Sequence, residues 1–232
     1  MKAKILGEEK KGDVLFSNSE LCRQRGSGNL GVVTLTQVKH RRELLFAALP
    51  ALFAVHQFIE GFVWLGLDGT LSATVAHNMG AAYMLYAQGL LAFLLPLSVW
   101  FFEPDAKDRR RMLPFVLLGG LTGLYVLWAL AAYPTEIYMK ANSIVYINQA
   151  TNHTAVAILY VVATCGAMLF SKIRSILVFG VANLVILLVV SAVKEYAFTS
   201  LWCAYAAIAS LIILVYFWRS SGTRPLRYVE AV

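Results

Sequence analysis

Long apolar runs separated by short charged connectors set the pattern of this chain. A helix that crosses a bilayer needs about 20 mostly apolar residues. Six runs fit that need: Leu44–Leu67, Ala73–Phe102, Leu113–Tyr133, His153–Phe170, Ile173–Val193 and Thr199–Trp218. The second is long enough to tilt or bend, and Pro96 near its end is the expected kink. The pattern predicts an all-α fold, a polytopic integral membrane helical bundle over residues 30–218. A polar tail precedes it over 1–29, and a second tail follows it over 219–232.

Composition agrees with that reading. The chain has 232 residues, of which 59% are hydrophobic and only 14% charged, against roughly 25% charged in a soluble domain. Its mean hydropathy is +0.66. The net charge of +7 is spread over several short connectors and not gathered on one face, which argues against a nucleic-acid partner and for a lipid bilayer. Of the 20 Lys and Arg residues, only Lys140 and Lys194 fall on one side of the six-span arrangement; the other eighteen share the opposite side. Basic connectors stay in the cytoplasm, so Leu44–Leu67 runs outward and the C-terminus is cytoplasmic. Trp64, Trp100, Trp128, Trp202 and Trp218 all fall near predicted span ends, where an amphipathic ring prefers to sit. Residues 1–28 lack the apolar core of a signal peptide. Cys22, Cys165 and Cys203 are too few and scattered for a disulfide framework.

Three details refine the organisation. The outer loop Pro134–Asn152 carries Ile137, Tyr138, Ile144, Tyr146 and Ile147, and is expected to rest on the membrane or fold back over the helices. Gly119 and Gly123 form a small-xxx-small pair that permits close helix contact. Leu30-Gly31-Val32-Val33-Thr34-Leu35 reads like the second half of a helix whose first half is missing, and Lys39-His40-Arg41-Arg42 follows as a cytoplasmic stop. Residues 18–29 can be back-translated with permitted codons so that one base out of register they encode Ala-Thr-Ala-Ser-Phe-Val-Ala-Ser-Ala-Gly-Ala-Val-Ile. That apolar peptide would complete the helix. The expectation is a pair of compensating indels, with seven spans and an external N-terminus in the native protein.

The run His56-Gln57-Phe58-Ile59-Glu60-Gly61-Phe62-Val63-Trp64, with Phe198-Thr199-Ser200-Leu201-Trp202-Cys203, resembles a family of small bacterial polytopic membrane proteins of unknown function. Members open with Cys-Phe-Ser-Ala-x-Ala-Ser-Phe on a first span; here Phe16-Ser17 matches and the shifted peptide continues the pattern. The resemblance covers about residues 30–218. It implies about seven spans in a bacterial inner membrane and carries no substrate, cofactor or catalytic residue.

Glu60 leads the candidates for chemistry. An ionised carboxylate at the centre of a span costs about 2.5–3.5 kcal/mol on insertion scales, so such a residue faces the bundle interior or a wet cavity. A protonated Glu60 joining two helices is the plainer alternative. His56 precedes Glu60 by four residues and shares its helix face. Gln88 and Asn183 are amides within spans that would line a polar pocket if they converge on Glu60, and otherwise link helices, as would Asn78. Topology places His56, Glu60, His77 and His153 in the outer half of the membrane. Three imidazoles and a carboxylate suit zinc or iron, although no HExxH or CxxC spacing supports the set. Arg109-Arg110-Arg111 reads first as a topology determinant and second as a contact for anionic lipid. No phosphate-cradling loop or GxSxG elbow is present.

Three functional classes remain. The first is a small transporter, channel-like or sensor protein with a polar intramembrane site around His56 and Glu60. The second is a membrane-embedded metal-dependent enzyme acting on lipid, with His56, His77 and His153 as ligands and Glu60 as ligand or general base. The third is an accessory subunit without chemistry of its own.

Overall fold

The computed structural model describes residues 30–140, 143–193 and 209–218. The two tails, Lys194 and the Phe198–Cys203 motif lie outside them. Helices dominate. A short helical stretch over 30–36 lies on the next helix, where Gly31 meets the backbone of Ala51. The half-helix legible in the sequence is therefore helical.

Helix α1 spans Arg41–Leu67. It starts as a 3-10 turn, Arg41–Glu43, because the Glu43 carboxylate turns back to accept from the backbone N–H of Lys39 (3.2 Å) and His40 (3.4 Å). Pro50, which lacks a donor, sits in the first turn of the main segment Leu49–Leu67, where no donor is needed. The helix ends at Gly69, whose φ of 85° suits glycine. Helix α2, Ala73–Phe102, starts at the Ser72 cap, whose side chain accepts from the Val75 N–H at 3.4 Å. Helix α3, Ala106–Ala132, starts at Asp105, which accepts from the Lys107 N–H at 2.7 Å. Helices α4 (Thr154–Leu169), α5 (Arg174–Val193) and α6 (Ala209–Trp218) follow. Among the described residues, α1, α2 and α3 are long and apolar enough to cross a membrane, and α4, the segment Arg174–Leu188 of α5, and α6 are shorter apolar helices.

Helix α2 contains a π-helical turn at Leu85–Leu90 and carries Pro96 inside an α-helical segment, Leu91–Phe102. The all-α expectation needs correction. The loop after α3 is an antiparallel hairpin of β1 (Thr135–Lys140) and β2 (Ser143–Asn148), paired from Thr135↔Asn148 to Lys140↔Ser143. Its Ile, Val and Tyr content favours a pleated, half-buried surface. Of the two expectations for this loop, folding back over the helices is the one observed: Ile144 and Tyr146 are buried against Trp64, Tyr83 and Met84. A two-stranded hairpin is marginal in water alone, so this packing holds it.

Two clusters mark opposite ends of the bundle. At the basic end, Phe46 of α1 packs on Phe102 of α2, Phe179 of α5 and Phe217 of α6, with ring centroids 5.2, 6.2 and 6.4 Å away. At the other end the hairpin closes over α1 and α2. Helix α3 leaves Leu113, Leu117, Leu121, Leu124 and Trp128 exposed along one apolar stripe.

Candidate functional site

Helix geometry puts residues four apart on one face. In α1 that face carries His56, Gln57, Glu60 and Trp64, none more than 3% exposed. It turns toward α2, where Tyr83 and Tyr86 are three residues apart and so share a face. The His56 ring stacks on Tyr83 (centroids 4.3 Å apart, planes 21° apart) and lies 5.9 Å from Tyr86. Tyr83 stacks in turn on Tyr146 of β2, at 4.8 Å and 17°. Four rings from three elements therefore form one series: Tyr146, Tyr83, His56 and Tyr86. The Tyr86 hydroxyl donates to the Leu52 carbonyl at 2.9 Å, which fixes the register of α2 against α1.

The π-helical turn lies beside this series and contains both Tyr86 and Gln88. Such turns are rare and recur at functional sites, because the inserted residue re-aims side chains and loosens the backbone ladder. Gln88 is half-buried there.

The hairpin is latched over the site by Asn148, which is fully buried. Its Nδ2 donates to the carbonyls of Ala129 (3.4 Å) and Tyr133 (3.2 Å) and to Thr135 Oγ1 (3.1 Å). Its Oδ1 accepts from the N–H groups of Ala150 (3.1 Å) and Thr151 (3.3 Å). One side chain thus ties the end of α3, both strands and the following turn. Gly80 of α2 gives the hairpin its approach, since a Cβ there would collide with Ile137.

His56 and Glu60 share a buried face, as the sequence predicts. The larger ligand set does not assemble: His77 and His153 are exposed, and among the described residues no group of three or more His, Cys, Asp or Glu side chains could hold a metal ion. His153 instead occupies the cap position of α4. Asn183 is buried, but its Nδ2 donates to Cys165 Sγ at 3.3 Å, joining α5 to α4. Asn78 is exposed. Sequence reasoning missed Tyr83, Tyr86, Tyr146 and Asn148. The i, i+3 spacing of two tyrosines within an apolar run was the available signal for the first pair.

A second set of polar groups lies at the basic end. Glu103, which follows α2, is buried and its Oε2 accepts from Ser171 Oγ at 3.3 Å. Burial pushes the Glu103 carboxyl above its usual range, Asp108 and Asp105 add to that, and Ser171 and Lys172 oppose it. Asp108 is also buried and takes Lys172 Nζ at 2.8 Å and Arg111 at 3.3 Å. The hydrogen bond and charge of Asp108 hold the Lys172 ammonium above its ordinary value.

A family model described as a family of unknown function, DUF6629, matches residues 17–228. No curated protein and no solved structure matches the chain.

Proposed function

We propose, for a chain that belongs to the family of unknown function DUF6629 and so inherits no activity, a polytopic membrane protein that transports or senses through a proton-exchanging site at Glu60 and His56. The supporting observation is the burial together of a carboxyl, an imidazole and an amide on one face of α1, beside a π-helical turn and a series of stacked rings. Ionisable side chains are expensive inside an apolar bundle, and where they occur they mark ion or proton pathways. Imidazole and carboxyl groups one helical turn apart suit proton exchange, because each can hold or release a proton without a large rearrangement.

The membrane arrangement behind this reading has six spans in this chain. The three long apolar helices and three shorter ones support it, as does the exposed leucine stripe of α3, which is costly in water and favourable in lipid. The Arg109–Arg111 turn and the C-terminus are cytoplasmic, and the hairpin faces outward. The histidine and carboxyl then lie in the outer half, beneath the hairpin.

Proteoliposomes with an internal pH dye test the proton function. Wild type should dissipate an imposed proton gradient, and Glu60→Gln should slow this at least tenfold, a barrier change of about 1.4 kcal/mol or more. If Glu60→Gln and His56→Ala both match wild type, the proton reading fails and an accessory role takes its place.

A further inference from the structure

We infer that the basic end binds the phosphate groups of anionic phospholipids, through Lys107, Arg109, Arg110, Arg111, Lys172 and Arg174, with Arg109 held over Trp100. The inference rests on the membrane reading above.

A count of basic residues cannot carry this, because cationic connectors serve topology in any membrane protein. What the fold adds is a separation of charge by depth. Among the described residues, the acids of this end are Glu43, Glu103, Asp105 and Asp108, and three of them are buried, at 1%, 3% and 3% exposure. Each of the three is engaged within the protein: Glu43 caps α1, Glu103 holds Ser171, and Asp108 holds Lys172 and Arg111. Asp105 is exposed, and one of its oxygens accepts from the Lys107 backbone N–H.

The cations do the opposite. The Lys172 and Arg111 side chains remain 66% and 67% exposed even while they share Asp108. One carboxylate between two cations leaves an excess positive charge at the surface. Lys107, Arg110 and Arg174 are exposed. Arg109 lies over the Trp100 ring at 5.8 Å, which holds its guanidinium against an aromatic of the kind that settles at headgroup depth. Phe101 beside it is exposed.

Among the described residues, the surface of this end therefore carries several exposed cations and one exposed acid, Asp105, next to an interfacial aromatic. Phosphates in an anionic leaflet are the complementary partner, each basic side chain contributing a similar increment of attraction. Guanidinium groups at Arg109, Arg110 and Arg111 suit phosphate especially, because they can donate two parallel hydrogen bonds.

The test uses the full chain in nanodiscs of phosphatidylcholine alone or mixed with phosphatidylglycerol. The unfolding temperature should rise with phosphatidylglycerol, and high salt should shrink the rise. Arg109→Gln with Arg110→Gln should remove about a third of it, since increments per charge are similar and two of six cations are lost. Arg110→Gln alone keeps the Trp100 contact and should remove a smaller part. Lys140→Gln, in the hairpin, should leave it unchanged. Equal stability in the two lipids, or a rise that survives both arginine changes, overturns the inference. So does an equal rise from inorganic phosphate added to phosphatidylcholine discs, which would make the ligand a free anion. Failure to enter discs of either lipid would instead count against the membrane arrangement.

Discussion

Asn148 does more for the architecture than any residue the sequence pointed to. It is one of four amides in the loop Pro134–Asn152, yet its five contacts close the turn after β2 and fasten both strands to α3. An amide can donate and accept at once, which is why this position needs Asn. Asn148→Ala leaves buried carbonyl and N–H groups without their partner, at about 1–3 kcal/mol for the groups concerned. The expected outcome is a lower unfolding temperature in detergent, with faster amide exchange concentrated in residues 135–151. Unchanged exchange there would show that the hairpin is held by its apolar contacts alone. His56 teaches the complementary lesson. Its place on the Glu60 face follows from a spacing of four, but its stacking on Tyr83 depends on α2 and on a strand nearly ninety residues away.

At the scale of elements, the joint between α2 and α3 shows how a proline can serve packing. Pro96 has no N–H, so the Ala92 carbonyl loses its partner within the helix. That carbonyl is directed at Gly119 of α3, where any Cβ would collide with it. One turn on, Gly123 meets the Gly89 carbonyl, 3.0 Å from where a Cβ would stand. Contacts of Cα–H with carbonyl oxygen are weak, but they need this backbone approach. Gly119 and Gly123 were legible as a contact pair, and Pro96 as a special position. Their meeting was not, because the spacing within one helix says nothing of which helix lies opposite. Gly119→Val should destabilise by about 1–3 kcal/mol through overpacking, read as a fall in unfolding temperature, whereas Leu117→Val on the exposed stripe should change little. The π-helical turn escaped the sequence altogether: nothing in Leu85–Leu90 marks it, and the segment meets α1 through Tyr86 and α3 through Gly89.

For the whole molecule, the two ends differ in kind. One is an apolar and aromatic closure beneath a hairpin; the other is an aromatic cluster capped by buried acids and exposed cations. The proposed orientation gives each a side of the membrane. In a cysteine-free background, Lys107→Cys should react with a membrane-impermeant maleimide only after the cells are opened, while Tyr138→Cys, exposed in β1, should react in intact cells. The reverse pattern would invert the molecule and place the Glu60 site in the inner half.

The sequence alone determined the mostly helical class, the apolar helices among the described residues and the common face of His56 and Glu60. Those properties are local: they follow from composition over a window and from 3.6 residues per turn. Tertiary structure decided which rings stack on His56, that Asn183 serves α4 and α5, that His77 and His153 stay apart from the site, and that a loop becomes a hairpin. Each of these depends on which surfaces meet across long stretches of chain, and one sequence records the helices more plainly than the contacts between them.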